Sequence, residues 1–179
     1  MEIYTNLGNQ YLWDMIDFKH FQDVFNELIT AIKLRYISDG PTISYEYGTE
    51  AEFIQQCQIK DNNQIDKYPL VWLVWDPKEN QQVYTDPCIY SIAPRVFICS
   101  LTNPDDMTDQ KYTNTLKAVL YPIFDLLVDE FGYNGNIELD PNFKYTVNDH
   151  PYWTEPADQF PDHLSAIEIK FENLLIIQQ

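Results

Sequence analysis

The sequence predicts an α+β domain, a mostly antiparallel mixed sheet with two main helices packed on it. Three observations carry that prediction. The stretches 18–36 and 109–131 place apolar residues at three- and four-residue steps, the spacing of a helix with one buried face. The stretches 42–47, 69–75 and 90–101 are β-branched and aromatic, and either alternate or run continuously apolar. Near the end, Ile167, Ile169 and Phe171 alternate with Glu168, Lys170 and Glu172, as in a strand with one buried and one wet face. The order helix, strands, long helix, strands is that of an α+β layer rather than a parallel βαβ repeat.

The first 17 residues are polar and aromatic and read as an N-terminal arm. Phe18 to Tyr36 then forms a helix whose buried face is Phe18, Phe21, Phe25, Leu28, Ile29 and Ile32, and Asp39-Gly40-Pro41 ends it. Thr42 to Tyr47 alternates as a half-buried strand. Thr49 and Glu52 have capping-box spacing, which predicts a short helix from about Glu50 to Gln58. After a polar loop, Pro69 to Trp75 is continuously apolar and predicts a strand buried on both faces. Trp72 and Trp75, an odd step apart, point to opposite sides of it.

Asp76 to Pro87 reads as a loop or loose hairpin, and Tyr90 to Leu101 as one long strand with Val96, Ile98 and Ser100 on one side and Phe97, Cys99 and Leu101 on the other. The main helix is capped by Thr108 or Asp109 and ends at Phe131, where Gly132 suits a left-handed cap. Its stripe is Leu116, Val119, Leu120, Ile123, Phe124, Leu127 and Phe131; Pro122, inside it, should kink the helix or divide it in two. Asn134 to Phe143 reads as a loop, Phe143 to Val147 as a short strand, and 148–163 as a Pro-rich excursion before the closing strand. The whole chain, 1–179, is expected to be a single domain, long enough to bury roughly 70% of its unfolded surface.

Two features of composition bear on function. With 28 acidic against 11 basic residues the net charge is −17. Such a surface is repelled by phosphate backbones and anionic membranes, so neither tight nucleic-acid binding nor a membrane role is expected. It suits solubility, a basic partner, or a wall past which DNA slides unheld. The second feature is aromatic content: 13 Tyr, 10 Phe and 4 Trp supply apolar area to offset the entropy of ordering. Cys57, Cys88 and Cys99 are odd in number and widely spaced, which fits a reducing compartment. The segment MEIYTNLGNQYLWDM has neither a basic n-region nor a long apolar core, so no secretory leader is expected. The longest apolar run, Leu70 to Trp75, is too short to span a bilayer.

No phosphate-binding glycine loop, no G-x-S-x-G elbow and no H-E-x-x-H zinc motif occurs. The best metal-ligating set is Asp149, His150, Glu155, Asp158, Asp162 and His163, irregularly spaced and interrupted by prolines, and reads as a solvated loop. His20 reads as a surface or half-buried residue. The pairs Asp129/Glu130 and Asp105/Asp106 read as adjacent carboxylates pointing apart into water. Cys99, within an apolar strand, should be an inert thiol. No catalytic, cofactor or metal residue is assigned. Tyr152 and Trp153, in the Pro-rich loop, are the candidate partner-contact residues, because paired aromatics on a surface make interface anchors.

Several segments taken together resemble a known family. They are Lys67-Tyr68-Pro69-Leu70-Val71-Trp72-Leu73, the strand Pro94 to Leu101 running into Thr102-Asn103-Pro104-Asp105, the helix Leu116 to Phe131 with Tyr121-Pro122-Ile123, and His150 to Trp153 before the strand Leu164 to Phe171. This succession, over residues 18 to 176, is similar to the tail-completion and tail-terminator-like neck proteins of tailed bacteriophages, in particular those of Bacteroidetes phages. The resemblance implies a non-enzymatic virion protein made in the host cytoplasm. It implies a homo-oligomeric ring, hexameric or dodecameric, between connector and tail, touching other neck or tail proteins, with DNA as passing cargo and no cofactor. It transfers no individual residue role. The alternative from charge alone is an acidic DNA mimic that binds a DNA-binding protein; a metal-dependent hydrolase built on the His150/His163 loop is the third reading.

Overall fold

The computed structural model describes residues 20–36, 42–58, 67–75, 83–86, 89–103, 105–150 and 164–177. Helix α1 is Phe21–Arg35, and β1 (Ser44–Gly48) leads into α2 (Glu50–Gln58). Four strands follow: β2 (Leu70–Val74), β3 (Val83–Asp86), β4 (Ile89–Ile92) and β5 (Arg95–Leu101). The long helix α3 has three parts, α-helical Thr108–Lys111, π-helical Tyr112–Leu120 and α-helical Tyr121–Phe131. Strands β6 (Ile137–His150) and β7 (Leu164–Ile177) complete a seven-stranded sheet of order β1-β2-β5-β7-β4-β3, with β6 also on β7. Among the described residues only β1 and β2 pair parallel, and the other pairings are antiparallel. The α+β prediction therefore holds.

The central strands of the sheet are buried on both faces, and side-chain parity assigns their buried residues to one of two cores. On the first face Val71, Leu73, Val96, Ile98, Ile167, Ile169 and Phe171 meet α1 and α3, through Phe21, Phe25, Leu28, Ile32, Leu116, Leu120, Ile123, Leu127 and Phe131. On the second face Leu70, Trp72, Val74, Phe97, Cys99, Leu164 and Ala166 meet α2, through Phe53 and Cys57. Trp72 lies in the second core and Trp75 packs against the first, as the odd spacing requires. The alternation predicted for 96–101 is likewise seen. The second core is the smaller, and α2 carries it because Thr49 and Glu52 form the expected capping box: the Thr49 N–H donates to Glu52 Oε2, and the Glu52 N–H to Thr49 Oγ1 at 3.2 Å.

Gly48 sits where that helix meets the sheet. A Cβ there would come within 3.0 Å of the Trp72 ring and 2.7 Å of the Glu52 carboxylate. Gly48→Ala should therefore lower stability by about 1–3 kcal/mol through overpacking against the ring, read as a lower urea midpoint with unchanged slope. A variant as stable as the parent would show that the α2 face is loosely packed.

The structure departs from the sequence expectation at several places. Tyr90 to Leu101 is not one strand. It breaks at Ala93-Pro94 into β4 and β5, because Pro94 has no N–H for the ladder. Both pieces still lie along one edge of β7: Ile92 faces Leu174 and Arg95 faces Lys170, so two residues oppose three. The extra residue is a bulge in which Asn173 takes φ 56°, a left-handed conformation that asparagine tolerates. The bulge shifts the parity of β7, so that Leu174 and Ile176 rejoin the first core below Phe171.

Asn134 to Phe143 is not simply a loop, since β6 starts at Ile137 and is 14 residues long. Asp140-Pro141-Asn142 hid it by breaking the alternation, and the register shift against β7 falls at that point, between Leu139 and Lys144. Residues 148–150, assigned to the Pro-rich excursion, end this strand. The N-cap of α3 is Met107 rather than Thr108 or Asp109; the Gln110 side chain accepts the Met107 N–H at 2.8 Å. Gly132 is right-handed, with φ −75°, because the chain turns on through Tyr133 and Asn134, whose N–H groups both reach Glu130 O at 3.0 Å. At Pro122, where the sequence predicts a kink or division, the helix runs on and changes from π- to α-helical hydrogen bonding. The Tyr121 N–H reaches back five residues to Leu116 O, and the α-helical part begins with Pro122 in its first turn, where a missing donor costs least.

Candidate functional site: an aromatic outer face and a buried carboxylate

The arm 1–17, the segment 151–163 with Tyr152, Trp153, Glu155, Asp158, Asp162 and His163, and Cys88 all lie outside the described residues. The two described members of the metal-ligating set are not brought together. Asp149 and His150 are neighbours on β6 and project to opposite faces. Asp149 accepts the Tyr121 hydroxyl, which holds that phenol's pKa above its usual range, whereas His150 turns to Glu168. Among the described residues no three His, Cys, Asp or Glu side chains are placed to hold one metal ion. His20 is exposed at the start of α1. Asp129 and Glu130 do not point apart into water: the Arg35 guanidinium binds both, with Glu130 Oε2 at 2.9 Å. Cys99 is buried with its thiol directed at Leu70 O, 3.6 Å away, and burial pushes its pKa well up.

Two features stand out on this frame. The first is a continuous run of aromatic rings on the α1/α3 side. Trp75 meets Phe21 at 5.9 Å between ring centroids, Phe21 meets Phe25 at 4.7 Å, Phe25 meets Phe131 at 5.8 Å and Phe131 meets Phe171 at 5.0 Å. From Phe171 the run emerges through Phe143 (6.1 Å) and Tyr145 (6.2 Å), and Tyr145 meets Phe124 of α3 at 6.1 Å. Its outward end on β6 is exposed: Tyr145 is 40%, Val147 36% and Leu139 42% accessible. At the opposite end of the sheet the outermost strand is β1, where Tyr47 is 56% accessible on the same face. Beside it Tyr45 donates its hydroxyl to Gln22 O at 3.4 Å, and burial raises that phenol's pKa. A groove of about 380 Å³ opens there, lined by Gln22, Asp23, Asn26, Tyr45, Glu46 and Tyr47. Among the described residues no strand pairs the outer edge of either β1 or β6.

The second feature is Glu168, a carboxylate 7% accessible on the other face of β7. The Asn148 amide donates to it at 3.1 Å, Lys170 lies at 3.3 Å, Arg95 at 3.4 Å and His150 at 3.7 Å. Arg95 also reaches Glu50 in the first turn of α2 and lies 5.3 Å over the Phe97 ring. Burial pushes the Glu168 pKa up, but Asn148, Lys170 and Arg95 outweigh burial and leave it below the usual carboxylate value. On the α3 face, the hydroxyls of Thr102, Thr115 and Ser165 satisfy one another at 2.7 and 3.0 Å where β5, β7 and α3 meet. Both polar clusters have their partners within the fold, and their chemistry is to satisfy buried polar groups. Neither was legible in the sequence, since each assembles from three or more separate segments. The sequence predicts a short strand at 143–147, which lies within β6, but not the length of β6 or the exposure of Tyr145 and Val147 on it.

No protein-family model matches the chain, and no curated protein matches it. Among the described residues no helix is long and apolar enough to cross a membrane.

Proposed function

We propose that this chain is a non-enzymatic assembly subunit of a tailed-bacteriophage virion, forming a ring at the neck or tail end as a tail terminator or head–tail completion protein. The observation that carries the reading is the apolar face of β6, where Tyr145 and Val147 stand exposed two residues apart on the outermost described strand and Leu139 is exposed further along it. A ring needs one patch on each subunit that fits a different patch on the next. Outer strands at both ends of one sheet supply two such patches. The net charge of −17 supports the same reading, since a channel wall of that sign does not hold phosphates and lets DNA pass. The partners are copies of itself and neighbouring neck or tail proteins, and the location is the virion.

Native mass measurement with electron microscopy of the purified protein, and of phage particles made in its presence, tests the proposal. A closed ring, or incorporation at the tail–connector junction, is the expected result. A protein that stays monomeric at high concentration and is missing from particles would overturn it.

A further inference from the structure

We infer that copies of this chain join edge to edge, the outer side of β6 of one copy adding antiparallel to the outer side of β1 of the next, with Glu46 opposite Lys144. The inference rests on the ring reading above and names the contact that would build it.

Strand direction comes first. β1 runs parallel to β2, β2 antiparallel to β5, β5 antiparallel to β7, and β7 antiparallel to β6. Within one subunit β1 and β6 therefore run in opposite directions. A neighbour related by rotation about an axis along the strands keeps both its direction and its faces. It brings β6 to β1 as an antiparallel partner, with the α1/α3 face of both copies on the same side. This is strand addition between copies, and it covers two edges that no strand pairs among the described residues, edges of the kind that template aggregation when left open.

Side-chain parity then decides what meets what. Tyr45 and Tyr47 face the α1/α3 side, being paired with Val71 and Leu73; Tyr145 and Val147 face that side too, being paired with Phe171 and Ile169. Glu46 and Lys144 are on the opposite side, paired with Trp72 and Glu172. With Glu46 opposite Lys144, Tyr45 stands opposite Tyr145 and Tyr47 opposite Phe143. One face thus gains a set of aromatic cross-strand pairs and the other a carboxylate–ammonium pair, both favourable combinations across a sheet. The groove of Gln22, Asp23, Asn26, Tyr45, Glu46 and Tyr47 opens beside β1, where an incoming tyrosine would find rings for its body and carbonyl and carboxylate oxygens for its hydroxyl. A slip of one residue would set Glu46 against Tyr145 and turn every ring to the wrong face, and a slip of two keeps the faces but loses the Glu46–Lys144 pair, so the charge pair selects the register.

The test is a charge exchange on the full-length protein, read as half-assembly concentration by native mass spectrometry and sedimentation. Glu46→Lys and Lys144→Glu should each raise that concentration about tenfold or more, and the double exchange E46K/K144E should bring it back near the parent value. Glu46 also accepts from the Gln56 amide at 2.8 Å, so Glu46→Gln, which keeps a bond to Gln56, separates loss of charge from local disruption. It should weaken assembly with an unchanged thermal midpoint. Rings that persist in both single exchanges, or single exchanges that the double does not rescue, overturn the β1–β6 contact while leaving a ring subunit intact. A parent protein that forms no oligomer and enters no particle overturns the ring reading itself.

Discussion

Replacing Phe131 by alanine should be the most destabilising single change in the first core. A loss of about 3–5 kcal/mol is expected, the range for removing a fully buried phenylalanine. The ring is 2% accessible and joins three elements. It ends α3, meets Phe25 of α1 edge-on at 5.8 Å, and meets Phe171 of β7 at 87° and 5.0 Å. Phe25 and Phe171 would face a void with nothing to fill it, because α1 and α3 are held apart by the larger packing around Leu28, Ile32, Leu120 and Ile123. In a chain of this size such a loss lowers the melting temperature by roughly 6–20 °C. Phe131→Leu keeps most of the volume and should cost less than half as much. Urea unfolding of both variants decides the matter: a shift of the midpoint without a change of slope is expected, and an alanine variant within about 1 kcal/mol of the parent would show that α3 does not depend on this contact.

Glu168→Ala is expected to be next in size for a charged position, at about 2–3 kcal/mol. The change leaves Arg95, Lys170 and His150 around a site with no anion of its own, and frees the Asn148 amide. The 3–5 kcal/mol typical of breaking a buried pair is tempered here because the Lys170 side chain is 49% accessible and stays in water. The pH dependence carries the sharper test. The folded-state pKa of Glu168 is lowered, so its stabilisation is fully present above the ordinary glutamate pKa and fades as pH falls through the lowered value. The difference in stability between the parent and Glu168→Gln should be largest near pH 7 and shrink toward pH 3. Comparing two proteins cancels the titration of the other carboxylates. A difference that stays constant over this range would mean that the carboxylate contributes through shape or hydrogen bonding rather than charge.

The parts of the fold legible in the sequence are those whose pattern is local. Phe21, Phe25, Leu28, Ile29 and Ile32 show α1 by their spacing alone, and all are buried as expected. Thr49 and Glu52 mark the start of α2 because a capping box needs only four consecutive residues. The continuous apolar run of β2 marks a strand covered on both sides, and all five of its residues are buried. Pro122 announces a change in α3 since a missing N–H has a fixed consequence. Strand β6 shows such a signal only in its middle, where Phe143, Tyr145 and Val147 alternate as the sequence predicts. Its alternation is interrupted at 140–142, and it exists because β7 offers it a long pairing edge from Ala166 to Ile176. The same holds for the split at Ala93-Pro94, which becomes a bend along one edge of β7 only when Asn173 absorbs the extra residue.

By itself, then, the sequence determined the class of fold, the helix that the first core is built on, the buried central strand and the sign of the surface charge. Each follows from spacing within about a dozen residues or from a count. The tertiary structure alone decided which strand lies at the outside of the sheet, that Tyr145 and Val147 on it stand exposed, and that Glu168 collects Arg95, Asn148, His150 and Lys170. Those depend on contacts between segments far apart in the chain, and no local spacing encodes which distant strands become neighbours.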